Sequence, residues 1–138
     1  MNADHEHTIV VGYDGSEGAE HALDWAIGEA KMRGDKLCIV KAWTPGEFGI
    51  DTEMEDYAEQ QLQQEMADRM KDAGVPWEAI TLRGPAAKVL LEHSADADML
   101  VVGSRGHGGF TGLLLGSVSQ QVASHAGATV VVIARSRH

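Results

Sequence analysis

The residues of this chain best suited to hold a ligand lie in a glycine-rich stretch from Gly103 to Ser117, which contains six of its 16 glycines. Glycine lets the backbone approach a ligand closely and adopt positive φ, at an entropic cost that a plain turn has little reason to accept. The stretch leads into a predicted helix, whose first N–H groups and dipole attract an anion. Gly116 and Ser117 would present N–H groups and a hydroxyl to that anion. The pattern predicts a phosphate-binding loop, with a ligand-free turn as the alternative.

Other phosphate and hydrolase motifs are absent from the sequence. No Gly-Lys pair occurs, which excludes a P-loop, and residues 12–16 (Gly-Tyr-Asp-Gly-Ser) lack the spacing of a dinucleotide fingerprint. No serine stands in a Gly-x-Ser-x-Gly elbow. Asp14 is expected at the end of the first strand, where it either bonds its own turn or contacts a ligand or Mg²⁺. No general base with a matching nucleophile can be assigned, so we predict no catalytic residues.

Hydrophobic periodicity places these segments in a fold of alternating strands and helices. Short apolar runs predict five strands, at 8–12, 37–43, 77–82, 99–102 and 128–134. Helical spacing predicts four helices, from the N-cap Ser16 to Gly34, from Thr52 to Gly74, from Pro85 as first helical residue towards Ala97, and from Ser117 to Ala126.

This alternation also predicts the order of the strands. Parallel strands need long crossovers, and right-handed helical crossovers give a doubly wound, five-stranded parallel sheet, α/β in class, in the order 3-2-1-4-5. The winding then reverses between strands 1 and 4, where a crevice opens at the carboxyl ends of the strands and ligands bind. Residues 12–16 and 103–106 reach this crevice, so we expect the ligand site there.

Composition narrows the classes of protein that this chain can belong to. It has 138 residues, 11 Lys and Arg against 21 Asp and Glu, and a net charge of −10, which argues against nucleic acid and anionic membrane surfaces as partners. The single Cys38 excludes an intrachain disulfide and a multi-cysteine metal site. The sequence shows neither a signal peptide nor a run long enough to span a membrane. We expect a soluble, cytoplasmic protein with one domain over residues 1–138, of which 1–7 form a flexible tail.

Two separated motifs make the chain resemble the universal stress protein family. The spacing Gly-x2-Gly-x9-Gly-Ser/Thr of its nucleotide-binding members is met by Gly103, Gly106, Gly116 and Ser117. The family's first strand and turn resemble residues 11–16, and the start of its last helix resembles residues 115–119. The resemblance extends from Thr8 to Ala134. It implies an adenine nucleotide alpha hydrolase-like fold and an ATP-binding regulatory or stress-response protein, with slow ATP hydrolysis or autophosphorylation at most.

The resemblance also implies a ligand site for ATP, or for ADP or AMP, together with magnesium. Asp14 would lie by the adenosine and is the candidate Mg²⁺ ligand, while the backbone at Ala42 and at 102–103 would form the base and ribose pocket. The full set of implied site residues is Gly12, Tyr13, Asp14, Ala42, Val102, Gly103, Arg105, Gly106, Gly116, Ser117, Val118 and Ser119. His107 stands where members often carry a basic residue, and Thr111 is uncharged, so phosphate affinity is expected to be lower.

Several other residues have a simpler interpretation than ligand binding. Trp43 packs in the core or stacks on the base, and core packing is favoured. Cys38, inside a strand, is expected to be buried and inert. The acidic residues between positions 51 and 59 predict a solvated helix face.

The last strand carries a separate expectation about assembly. It lies at a sheet edge and is almost wholly apolar, and an exposed apolar edge invites pairing with another chain. We therefore expect a homodimer that pairs two copies of Thr129, Val130, Val131, Val132 and Ile133.

Two rival functions remain at this point. A dimeric interaction module that binds no nucleotide would be expected to lack the glycine motif, and here the motif is intact. An adenylate-forming or nucleotidyl-transferring enzyme would carry a Ser-Gly-Gly-x-Asp-Ser or His-x-Gly-His signature, and the chain has neither.

Overall fold

Five strands and four helices alternate along the part of the chain that the structure describes. The structure is a computed structural model, which describes residues 7–44, 52–104 and 117–134. The elements are β1 (Thr8–Gly12), α1 (Glu17–Arg33), β2 (Lys36–Trp43), α2 (Thr52–Met70), β3 (Trp77–Arg83), α3 (Ala86–His93), β4 (Met99–Gly103), α4 (Ser117–His125) and β5 (Thr129–Ile133). Of the predicted site, Arg105, Gly106 and Gly116 lie outside the described residues, as do His107 and Thr111.

The strands form one parallel sheet in the order β3-β2-β1-β4-β5, which confirms the predicted order. Val11 of β1 is aligned with Ile39 of β2 on one side and with Val101 of β4 on the other. The central strands are buried on both faces, as the continuous apolar sequence of β4 predicts. The winding reverses between β1 and β4, so their carboxyl ends flank the crevice.

Alternating residues of the strands feed two hydrophobic clusters, one on each face of the sheet. On one face, Ile9 and Val11 pack with α1 and with Leu62 and Met66 of α2. On the other face, Val10 packs with residues of α3 and α4. Side chains alternate between the two faces of the strands, and the apolar stripes of the helices pack on both faces. The result is a three-layer arrangement of helices, sheet and helices.

The ends of α1 follow local sequence signals, whereas α2 and α3 end earlier than predicted, at Met70 and His93. Ser16 caps α1 by accepting a hydrogen bond from the Ala19 N–H at 3.1 Å, and Gly34 ends that helix at φ 72°, as predicted. The prediction that Pro85 is the first residue of its helix was wrong. Pro85 is the N-cap of α3, with extended ψ of 138°, and the helix begins at Ala86.

Side chains of α2 close the free edge of β3. Glu59 Oε1 accepts hydrogen bonds from Thr81 N at 3.0 Å and Thr81 Oγ1 at 2.7 Å, and Gln63 donates to the Ala79 carbonyl. Burial favours the neutral form of Glu59, but the hydrogen bonds from Gln63 and Thr81 outweigh burial and hold the pKa of its carboxyl below the usual value. Glu55 is exposed, as the solvated-face prediction requires, whereas Glu59 corrects that prediction by covering a strand edge.

Candidate functional site

The turn after β1 is built by its own side chains. Asp14 Oδ1 accepts a hydrogen bond from Ser16 N at 2.9 Å, and Gly15 between them has φ 81°. The turn-bonding role weighed for Asp14 is therefore present. Because Ser16 caps α1, the same turn sets the exposed Asp14 carboxylate beside the amino end of that helix, where its dipole favours negative charge.

A side chain would be crowded at Gly12 and at Gly103, the ends of β1 and β4, but the crowding is more severe at Gly103. A Cβ on Gly12 would stand 2.7 Å from Leu90 Cδ1 and 3.3 Å from Val102 Cγ1. A Cβ on Gly103 would stand 2.7 Å from the carbonyl oxygen of Gly18 in the first turn of α1. A leucine methyl can move, whereas a helix backbone moves only with its helix. Packing alone therefore explains why glycine stands at position 103, the first glycine of the predicted phosphate loop, whether or not a ligand binds.

The start of α4 is tied to the end of β4. Ser119 Oγ donates a hydrogen bond to the Ser104 carbonyl at 2.7 Å, and Ser104 N donates to the Ile133 carbonyl at 2.9 Å. Both serines are buried, while Ser117 is exposed and Val118 half-buried. The two ends of the glycine-rich stretch are thus held together at the carboxyl edge of the sheet.

Trp43 and Ala42, at the end of β2, lie on opposite faces of the sheet. Trp43 is only 5% exposed, which confirms core packing, and the Arg83 guanidinium carbon lies 5.8 Å from the centroid of its ring. Its Nε1 has no hydrogen-bond partner among the described residues. Ala42 is half-buried against the cluster of α3 and α4.

Tyr13, between Gly12 and Asp14, directs its side chain into a network of charged groups. Its hydroxyl donates to the carboxylates of Glu20 on α1 and Glu65 on α2, the second at 3.0 Å. Burial first, and then the hydrogen bonds with both carboxylates, raise the pKa of Tyr13 far above its ordinary value, so the hydroxyl keeps its proton. Arg69 Nη2 lies 2.9 Å from Glu20 Oε1 and compensates its charge.

Cys38 is buried at 1% exposure, as predicted. Burial, and then the neighbouring Glu78 carboxylate, raise the pKa of its thiol to about 12, so the reactive thiolate is scarce near neutral pH.

Within residues 7–44, 52–104 and 117–134, no three His, Cys, Asp or Glu side chains form a group suited to a metal ion. In the same ranges, no helix is both long and apolar enough to cross a membrane.

Comparison with known proteins agrees with this geometry. The sequence model of the universal stress protein family matches residues 6–134 of the chain. The chain belongs to the universal stress protein family. Its sheet order and helices are those of the adenine nucleotide alpha hydrolase-like fold found in solved members of the family.

Individual members show how near the relationship is. Universal stress protein Rv2005c of Mycobacterium tuberculosis is 39% identical in an alignment 135 positions long, which covers 92% of this chain and 45% of that protein. The chain thus spans less than half the length of the curated relatives it matches first. A universal stress protein solved in complex with cAMP is 35% identical, with a TM-score of 0.72 over 95% of this chain and 98% of its own. The UspA structure from Lactobacillus plantarum, at 19% identity, has a TM-score of 0.80 over 96% and 99% of the two chains and shows the shared fold.

The structure adds residues to the candidate site of this universal stress protein that the sequence analysis did not single out. Gly18 and Leu90 lie against the two strand-end glycines, and Ser104 accepts the Ser119 hydroxyl. Gly18 carried only a weak signal: a glycine inside a helical pattern can mark close packing, but Gly28 in the same helix packs closely against none of the described residues. Ser104 carried none, since its contact with Ser119 depends on the path of the intervening chain.

The packing role of Gly103 can be measured with a matched glycine. Gly103→Ala is expected to lower the free energy of unfolding by about 1–3 kcal/mol, because the new Cβ meets the Gly18 backbone. Gly28→Ala is the control, since a Cβ there meets nothing within 4 Å and should stabilise the protein by about 0.5–1 kcal/mol. Urea unfolding of both variants measures the difference. Equal effects at the two positions would contradict the packing role.

Proposed function

We propose that this universal stress protein binds an adenine nucleotide at the crevice between β1 and β4. One observation carries the proposal: Ser119 ties the start of α4 to the end of β4, so both ends of the glycine-rich stretch lie at the carboxyl edge where the winding reverses. The intact glycine motif and the relative solved with cAMP, at 35% identity, support the same ligand class.

The proposed contacts combine main-chain donors with a few side chains. N–H groups in the first turn of α4, with those of the glycine-rich stretch, would hold the phosphates. Since the Ser119 hydroxyl already donates to Ser104, the exposed Ser117 is the better source of a side-chain donor. Asp14 would lie beside the adenosine, and the backbone near Ala42 and Val102 would form the base pocket.

ATP with Mg²⁺ is the proposed form of the nucleotide. Asp14 offers an oxygen ligand of the kind that Mg²⁺ accepts beside phosphate oxygens and water. We further propose that the nucleotide regulates which partners this cytoplasmic protein contacts, with ATP hydrolysis slow at most.

The proposal predicts saturable nucleotide binding by isothermal titration. ATP with and without magnesium, and cAMP, are titrated into protein shown to be free of co-purified nucleotide. We expect the wild type to bind with a micromolar dissociation constant. Gly116→Trp should abolish binding, because the indole would occupy the proposed phosphate site. Gly28→Trp adds the same bulk at an open glycine and should bind like the wild type. No heat with any of these nucleotides at millimolar concentration would overturn the proposal and favour the nucleotide-free interaction module.

We also propose that two copies of the chain pair through β5. The edge of β3 is engaged by Glu59 and Gln63 of α2, whereas β5 is the other edge of the sheet and carries half-buried apolar residues at Val130 to Ile133. An apolar edge strand with unpaired backbone groups is a ready template for a second strand. The β5 strand of a second copy would cover both the apolar side chains and the outward-facing backbone groups of this edge.

A proline on the outward side of β5 tests this pairing. The Ile133 carbonyl accepts a hydrogen bond from the N–H of Ser104, just after β4, so the backbone of the adjacent Val132 faces the outer edge of the sheet. Val132→Pro removes an outward donor without removing a bond to β4, and should convert a dimer to a monomer in multi-angle light scattering at tens of micromolar. Val132→Thr keeps the N–H and should remain dimeric. A monomeric wild-type protein would contradict the proposal.

A further inference from the structure

Tyr13 lies between two residues of the proposed nucleotide site, Gly12 and Asp14, but its backbone N–H and its hydroxyl are already engaged. Its backbone N–H donates to the Val40 carbonyl at 2.9 Å, one residue beyond the end of β1. Its side chain is only 4% exposed, and its hydroxyl meets the carboxylates of Glu20 and Glu65. A hydroxyl with one proton and two carboxylate acceptors has no donor left for a ligand.

The two carboxylates come from different helices, so one hydroxyl joins three elements. Glu20 lies in the first turn of α1, and Glu65 lies on α2, 52 residues from Tyr13 in sequence. Arg69 of α2 bonds Glu20 through Nε at 3.2 Å and Nη2 at 2.9 Å, and bonds Asp24 at 2.7 Å. Arg69 therefore holds the Glu20 carboxylate in the orientation in which it accepts from the Tyr13 hydroxyl. Hydrogen bonds to charged groups are among the stronger ones in proteins.

The residue that follows Tyr13 is Asp14, whose own bond to Ser16 shapes the turn. The chain before this turn is thus held by the Tyr13 backbone and ring, and the chain after it by the cap of α1. Only the short segment between these anchors carries Asp14. The Tyr13 hydroxyl is thus one of the contacts that hold the chain where the Asp14 turn begins.

We infer that Tyr13 is a positioning residue for the nucleotide site, in which its hydroxyl, held by Glu20 and Glu65, fixes the turn that presents Asp14 to the ligand. This inference rests on the proposed function and replaces the direct ligand contact expected for Tyr13 from the family resemblance. If Tyr13 acts through Asp14, removal of its hydroxyl lowers ligand affinity only while Asp14 is present.

A double-mutant cycle on cAMP binding tests this coupling. Tyr13→Phe removes the hydroxyl and should raise the dissociation constant about three- to tenfold, which lies in the lower part of the range of coupling between neighbouring groups. In the Asp14→Ala background the same substitution should leave the constant unchanged. Tyr57→Phe is the matched control, because Tyr57 is 56% exposed on α2 and its hydroxyl accepts a bond from Gln61. It should bind cAMP like the wild type.

The outcomes separate this inference from the proposed function. A wild-type protein that does not bind cAMP or ATP overturns both. A binding wild type overturns the inference alone if Tyr13→Phe leaves the dissociation constant unchanged, or if it weakens binding equally with and without Asp14. If Tyr13→Phe does not fold, Glu65→Ala takes its place in the cycle. Glu65 is exposed, and its substitution removes one of the two carboxylates that accept from the Tyr13 hydroxyl. A smaller loss of affinity that again requires Asp14 is then expected, and its absence overturns the inference.

Discussion

The close approach of α1 to the end of β4 is the constraint on which the rest of the site depends. The Gly18 carbonyl lies where a Cβ on Gly103 would be, so two glycines let a helix start against a strand end. This contact sets the amino end of α1, the Asp14 turn and the first residue of the glycine-rich stretch side by side. A side chain at Gly103 would separate the groups that the proposed ligand has to bridge.

The layout of positive charge explains why main-chain donors are central to the proposed site. Arg69 is bonded to Glu20 and Asp24, Arg33 pairs with Glu29 at 2.7 Å, and Arg83 lies over the ring of Trp43. These three arginines stabilise helices and a strand end. In a chain of net charge −10, the proposed phosphate site would rely mainly on N–H groups at a helix start, which attract anions without carrying a full positive charge.

Much of the fold follows from the sequence, because periodicity and crossover length are local properties. The continuous apolar runs at residues 8–12 and 99–102 and the apolar stripe of α1 predicted strands and a helix, and the long crossovers between strands then predicted the strand order and the place of the crevice. Contacts between distant polar side chains were not predictable in this way. The hydroxyl of Tyr13 meets Glu65, and the carboxylate of Glu59 meets Thr81, only because α2 lies across the sheet. A periodicity assigns a residue to a face and does not choose its partner on that face. Pro85 shows a related limit for a helix end. Its presence marks the start of the helix, but does not decide whether proline is the N-cap or the first helical residue.

Hydrogen–deuterium exchange with and without saturating cAMP tests the central claim most directly, because it locates the ligand on the whole chain. A ligand in the crevice between β1 and β4 predicts slower exchange in peptides that cover residues 12–16, 103–116 and 117–119. Peptides from the β3 edge, over residues 77–83, should be unchanged. Protection confined to the β3 edge or to α2, with no change in the glycine-rich stretch, would contradict the account.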